Sequence, residues 1–353
     1  MPDSPVLQAL QAQAHSCAAV GFGSPLYAHL LQGLLEDFTA GGITAELLES
    51  AAARPVHDAL PLRYLAAVHR LALAGDAPSL ARYFGSCEGV WDGESLTPTF
   101  LKVVTQHREV VAKGLRRNVQ TNEVGRAPVL ASGFALIARR HMPTLDVLEI
   151  GSSAGLLSLW DRYFYDTGES QLGDAASPLR FERPWWTDRV PKLASTISVA
   201  RRRASDIYPI DSSTVSGRLT MLSFVWPDQG ERIARLRAAL EVATRFPVHI
   251  QRADAGDWLT EQLAQGPCAG VATVVFHSIV WQYLATSTKA RVREALSNAG
   301  ALGSEEAPLL WLRMEPATVQ GANLRLTTWP SGADEVLAEV GYHGAGIRWL
   351  ADD

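Results

Sequence analysis

Residues Leu145 to Gly155, Leu-Asp-Val-Leu-Glu-Ile-Gly-Ser-Ser-Ala-Gly, restrict this chain more than any other stretch. Val147, Leu148 and Ile150 form a short apolar, β-branched run of the kind a buried parallel strand uses. Gly151 ends it and Gly155 follows four residues later. Leu156, Leu157, Leu159 and Trp160 then recur at helical spacing, with Tyr163 and Phe164 continuing the face. The pattern predicts strand, small-residue turn and helix. Such a turn is expected to present free backbone N–H groups, with small residues letting a ligand approach the main chain.

Three chemistries use turns of this kind. A dinucleotide site needs G-x-G-x-x-G, but the second and third glycine positions hold Ser153 and Leu156. Gly151 to Gly155 also satisfies G-x-S-x-G, the nucleophile elbow of α/β-hydrolases, with Ser153 as nucleophile. Finally, Glu149, Gly151, Ser153 and Gly155 resemble the first motif of class I S-adenosylmethionine (SAM) methyltransferases, [DE]-x-G-x-G-x-G, with serine in place of the middle glycine.

Bulk properties narrow the field. The 353 residues are 47% hydrophobic and 20% charged, enough to bury a sizeable core. A net charge of -5 gives no global field for nucleic acid or an anionic membrane, so neither is expected as a partner. Cys17, Cys87 and Cys268 are scattered and odd in number, which suggests neither a zinc site nor a disulfide framework. The first residues lack a charged-then-apolar leader pattern, and no apolar run reaches the ~18 residues of a membrane helix. A reduced, cytoplasmic, globular protein is expected; oligomeric state is not legible.

Residues 1–140 read as an all-α domain and 141–353 as an α/β domain. In the first, Leu26, Leu30, Leu31, Leu34 and Leu35 share a helical face, and Val103, Val104, Val110 and Val111 mark a helix from Phe100 to Leu115. Gln120-Thr121-Asn122-Glu123-Val124-Gly125-Arg126 packs an amide, a hydroxyl, an acid and a guanidinium ahead of an apolar helix, Val129 to Ile137. The plain reading is a helix cap at Thr121 or Asn122 and a solvated Glu123–Arg126 pair.

Downstream, strands and helices alternate. Thr196–Ala200 is a strand running into Arg201-Arg202-Arg203; Leu219–Trp226 is ambiguous; Asp228 and Glu231 suggest a capping box. Phe246–Gln251 is a strand ending at Asp254, with Trp258 on the helix after it. Val271–Phe276 is the strongest strand and ends in His277-Ser278. Leu309–Met314, Asn323–Trp329 and Gly346–Leu350 are further strands, the last two around a helix from Asp334 to Val340. Repeated βα units predict a mostly parallel sheet covered by helices.

The order of these features favours the methyltransferase layout. Its sheet opens with the glycine-bearing strand, and ligands of open α/β sheets bind at carboxyl ends of strands. Asp206 or Asp211 follows the second strand, Asp254 the third, and His277 the fourth. A hydrolase would need several strands before its elbow. Ser153 with His277 or His343 as late base and Asp254 as orienter remains the alternative, as does a non-catalytic scaffold whose helical domain recruits a partner.

Over residues 140–350 the chain resembles class I SAM-dependent methyltransferases. It resembles more closely a bacterial family known as domain of unknown function 2332. Gln120–Arg126, Leu148–Leu156, Trp226-Pro227-Asp228-Gln229, Asp254 and Phe276–Tyr283 carry that match. The resemblance implies a Rossmann-like sheet and SAM as cofactor, with a small-molecule N or O as methyl acceptor. Gly151, Ser153 and Gly155 are then expected against the methionyl part, with Glu149 ordering the turn. Asp206 or Asp211 is expected on the ribose, and Asp254 with Trp258 at the adenine. His277 is expected as general base, its ordinary pKa lying near neutrality, with Asn122, Glu123 and Arg126 closing the pocket from the helical domain.

Overall fold

The computed structural model describes residues 4–19, 23–51, 55–56, 59–93, 95–187, 189–193, 196–318 and 321–352. Two compact units emerge: Met1–Thr121 with Thr214–Arg237, and Asn122–Ser213 with Ala238–Asp353. The sequence predicts a boundary near residue 140; in the structure the 122–140 segment lies within the second unit.

The first unit is helical: α1 (Pro5–Cys17), α2 (Pro25–Thr39), α3 (Ile43–Ala51), α4 (Leu60–Ala74), α5 (Pro78–Ala81), α6 (Leu96–Gln106) and α7 (Arg108–Gly114). After α8 (Ala127–Arg140), which belongs to the second unit, the helical unit regains α9 (Val215–Ser223) and the start of α10 (Gly230–Arg245). Leu26, Leu30, Leu31, Leu34 and Phe38 bury one stripe of α2 into this core. The helix expected over Phe100–Leu115 is broken at His107, whose ψ of 27° leaves the helical range, so α6 and α7 are separate. Asp228 bonds Ser24 Oγ at 2.7 Å and the Leu26 N–H at 3.2 Å, tying the α9–α10 segment to the start of α2. Thr214 Oγ1 accepts from the Gly217 N–H and makes the ambiguous 219–226 stretch begin as helix.

The second unit is α/β. Its strands begin with β1 (Thr144–Ile150), β2 (Phe164–Asp166), β3 (Gln171–Leu172), β4 (Arg180–Phe181), β5 (Ser198–Asp206) and β6 (Ile250–Arg252). The unit continues with α11 (Ala255–Gln262), β7 (Ala272–Ser278), α12 (Thr286–Gly300), β8 (Leu309–Pro316), β9 (Gly321–Trp329), β10 (Ala333–Gly341) and β11 (Arg348–Trp349). Among the described residues one sheet has eight strands, ordered β11-β10-β9-β8-β7-β1-β5-β6, and a small second sheet is ordered β3-β2-β4. From β6 to β8 neighbouring strands are parallel; β9, β10 and β11 form an antiparallel meander on the edge. The strand order reverses between β1 and β7.

Three local expectations are corrected. Asp334–Val340 is strand, not helix: its helix-forming Ala, Glu and Leu are overridden by pairing with β9, which fits β-structure's dependence on context. Arg201, Arg202 and Arg203 lie inside β5 rather than beyond it, because Arg201 and Arg203 both reach Asp146 Oδ2 at 2.7 Å and Arg202 pairs with Asp161. The segment after the turn is a six-residue 3-10 stretch, Leu157–Arg162, followed by β2.

The two sheet faces are covered differently. On one, Phe134 of α8 stacks on Trp160 at 4.2 Å and meets Phe276 edge-on, and Gly133 fits against Leu312 and Leu324 where a Cβ would stand about 3 Å away. On the other, Trp258 and Leu259 of α11 and Val292 and Leu296 of α12 pack with Leu148, Ile150 and Val275. Among the described residues no helix is long and apolar enough to cross a membrane.

Candidate functional site

At the carboxyl ends of β1 and β7 the backbone takes conformations that side chains disfavour. Gly151, Ser153 and Gly155 have φ of 67°, 54° and 71°. Across the reversal, Ile279 has φ 53°, a rare state for a β-branched residue. Val280 then packs on Gly151, where a Cβ would stand 2.6 Å from its Cγ1. Two strained residues at neighbouring strand ends mark a place the surrounding structure holds deliberately.

Four N–H groups of the turn, those of Ser152, Ser153, Gly155 and Leu156, are already bonded. Ser152 N–H donates to Ser205 O at 3.1 Å, Ser153 N–H to Asp206 Oδ2 at 2.8 Å, and Gly155 N–H to Ser152 O at 2.8 Å. Leu156 N–H donates to Asn122 Oδ1 at 2.7 Å. The free amide cradle expected from the sequence is therefore largely absent from the described turn, and no α-helix dipole follows it. Asp206, at the end of β5, also takes the Tyr208 N–H at 2.7 Å. Each carboxylate oxygen has accepted one recorded bond and keeps capacity for another.

Residues 122–126 are not a solvated cap. Asn122, Glu123 and Arg126 are 7%, 7% and 6% exposed, which overturns the plain reading of that segment. Glu123 Oε1 accepts from the Gly125 N–H at 3.0 Å, and its other oxygen lies 3.5 Å from His343 Nδ1. Arg126 donates to Tyr342 O at 2.9 Å and to Ser278 O at 3.2 Å, joining the loop after β10 to the end of β7. Gly125 is backed by His343 O, which a Cβ would approach to 2.4 Å. The segment thus touches the turn through Asn122, β7 through Arg126 and the 341–346 loop through Glu123.

Glu149 and His277 point to opposite faces. Leu148 and Ile150 lie in the α11–α12 core, so alternation sends Glu149 to the α8 face. It is buried and bonded by Ser158 Oγ, and burial pushes its carboxyl up to about 8. Val275 shares the α11–α12 core, so His277, two residues on, faces that side. His277 is fully buried, its Nδ1 lies 2.6 Å from Glu315 Oε1, and it stacks on Trp281 with ring centroids 5.5 Å apart. Its Nε2 has no partner among the described residues.

Glu315 also accepts from the Val280 and Trp281 N–H groups at 3.0 and 3.2 Å. Burial alone would raise its carboxyl, but the His277 ring and these two N–H groups together hold it below its ordinary value. His277 and Glu315 therefore brace the strained 279–281 loop. The rule that selected Asp206 and Asp254, an acid at a strand end, would have selected Glu315 as well.

The remaining predicted side chains are bonded elsewhere, although Ile210 N–H, beside Asp211, donates to Ser153 O at 3.0 Å and Ala253 N–H, beside Asp254, donates to Asp206 O at 3.1 Å. Asp254 caps α11 through the Gly256 and Asp257 N–H groups and is bonded by Thr288 at 2.7 Å and Arg291 at 2.8 Å. Burial opposes ionisation, but these four donors leave its carboxyl below the usual range. Trp258 is buried in the α11–α12 core and bonds Gln251 at 2.7 Å. Asp211 is exposed and closes a local turn onto Ser213. Among the described residues no three His, Cys, Asp or Glu side chains converge to hold a metal.

Fold and site together define an α/β protein with a braced polar edge where its strand order reverses. The chain belongs to a bacterial family described as "Uncharacterized protein conserved in bacteria (DUF2332)", which it matches over residues 8–349. Neither a curated protein nor a solved structure matches it.

Proposed function

We propose that this chain is a SAM-dependent methyltransferase acting on a nitrogen or oxygen of a small molecule. The observation that carries the reading is the turn after β1, where the N–H groups of Ser152, Ser153, Gly155 and Leu156 are bonded within the unit and whose neighbour is the half-buried Asp206 carboxylate. A dinucleotide or nucleoside phosphate needs N–H groups aimed at its phosphates. This edge offers carboxylates instead, which suit a ribose and a cationic sulfonium or ammonium. The strand order from β6 to β8 and the reversal beside β1 agree with that ligand class.

SAM would supply an electrophilic methyl group, so the protein's task is to position an in-line attack. Asp206 would accept from the ribose hydroxyls. Ser153 and its flanking glycines would shape the turn beside the methionyl part, and Glu149 would hold that turn from below. Asp254 and Trp258 are engaged elsewhere and take no part in this version. Glu123 and His343 would remove the acceptor's proton, a role His277 is too enclosed to perform. Asn122 and Arg126 would fix the segment that carries Glu123.

Calorimetry with SAM and S-adenosylhomocysteine tests the reading on the full chain. Micromolar binding, weakened at least tenfold by Asp206→Ala, is expected. A second reading has one specific observation in its favour, the left-handed φ of Ser153 within G-x-S-x-G. Covalent labelling of Ser153 by a fluorophosphonate, with no heat from either nucleoside, would replace the methyltransferase with a hydrolase.

A further inference from the structure

The helical unit contains a cavity of about 250 Å³ between α4, α7 and α9. Among the described residues its lining includes four cations, Arg63 and Arg70 from α4, Lys113 from α7 and Arg117 just beyond, and no carboxylate. This concentration is unusual in a chain whose net charge is -5. Gly114 lets α7 lie directly on Ala67 of α4, where a Cβ would stand 2.6 Å from the Ala67 Cβ.

Arg70 donates to the neutral Ser216 Oγ at 3.1 Å and Arg117 to the neutral Thr220 Oγ1 at 3.1 Å, while Arg63 donates to Leu115 O among its contacts. Arg70 Nε is buried and has no hydrogen-bond partner among the described residues. Burial, and then the like charge of Arg117, hold the Arg70 guanidinium below its usual range; Asp76, outside the cavity lining, opposes this. Like charges gathered around a concave space, with no carboxylate among its described lining residues, repel one another, and an anion placed among them relieves that repulsion. Guanidinium forks match phosphate and carboxylate oxygens in pairs.

We propose that this cavity is a binding site for a small polyanion bearing phosphoryl or multiple carboxylate groups. Its dimensions suit a small molecule rather than a polymer, and the chain's overall negative charge gives a nucleic acid no general attraction. The site lies within one compact unit and is independent of the methyltransferase reading.

The test is calorimetry of the full chain with pyrophosphate and with citrate, in low-salt buffer free of phosphate. Saturable binding of at least one is expected, weakening as salt rises. Tighter pyrophosphate assigns a phosphoryl ligand and tighter citrate a polycarboxylate. Arg70→Met with Arg117→Gln is expected to weaken binding at least tenfold. Lys113→Gln, at an exposed position, is expected to weaken binding about threefold by removing one charge while leaving the urea midpoint unchanged. Absence of saturable binding by the wild-type chain up to millimolar anion overturns the proposal. So does unchanged affinity in Lys113→Gln together with the double variant.

Discussion

At the carboxyl edge of the sheet, Asp254 is surrounded by Thr288, Arg291 and two backbone N–H groups, and Glu315 by His277 and two more. In the helical unit, Arg63, Arg70, Lys113 and Arg117 line one cavity with no carboxylate among its described lining residues. The first region neutralises its charges locally and uses them to hold strained backbone. The second leaves like charges together. Buried pairs are costly to break on one side, whereas separating like charges relieves repulsion. Substitutions at the sheet edge should therefore act on folding, and those in the helical cavity on ligand affinity.

Gly151→Val is the severest challenge to the sheet edge. It forces a β-branched residue to φ 67° and drives a Cβ against Val280. Strain and overpacking together should destabilise the chain by about 3–5 kcal/mol, measured by urea unfolding. A loss below about 1 kcal/mol would mean the turn and the 279–281 loop move freely, and the contrast would fail.

Glu149→Gln tests the edge in the opposite direction. The wild-type carboxyl is raised from 4.5 to about 8 in the folded state. Stability is then fully present below the unfolded value and falls as pH rises through that window, because the unfolded chain ionises first. Glutamine keeps an acceptor for Ser158 and cannot ionise. The variant should gain on the wild type between about pH 4.5 and 8, by at most about 1.4 kcal/mol per pH unit. Parallel stability–pH curves for the two proteins would refute it.

Glu315→Gln should cost about 2–3 kcal/mol near neutrality, since it removes a buried carboxylate from His277 and two N–H donors. Glu315 is held below its ordinary value of 4.5, so its contribution is present above that value and lost as pH falls through the folded value. Denaturant melts should show the gap between wild type and variant closing below about pH 4.5. A gap independent of pH would assign the loss to packing alone.

These residues also show what sequence can and cannot carry. The β1 strand and its turn were readable because a β-branched run closed by glycine has few other solutions. The condition of the turn's N–H groups was not, because Asp206 and Asn122, distant in sequence, decide it. Ala333–Gly341 carries residues suited to a helix, and only its pairing with β9 makes it a strand. His277 was correctly placed at a strand end, yet its face follows from which neighbours pack on β7. Asn122, Glu123 and Arg126 were notable as a motif, while their burial depends on Tyr342, Ser278 and Leu156. Local pattern sets element type where no sheet partner overrides it, as β9 does at Ala333–Gly341; the state of each polar group is set by partners that the pattern does not name.

The smallest expected effect decides between the two acids proposed for the ribose. Asp206 is half-buried and ties β5 to the turn through Ser153, so Asp206→Asn should both lower the melting temperature and weaken S-adenosylhomocysteine binding. Asp211 is exposed, and its recorded bonds run to Ser213 two residues away. The two Ser213 bonds hold its carboxyl below the usual range. Asp211→Asn should therefore leave melting temperature and nucleoside affinity at wild-type values, since asparagine can still accept from the Ser213 N–H. Loss of affinity in this variant with melting unchanged would move the ribose contact from Asp206 to Asp211, on the segment that Ile210 N–H ties to Ser153 O at 3.0 Å.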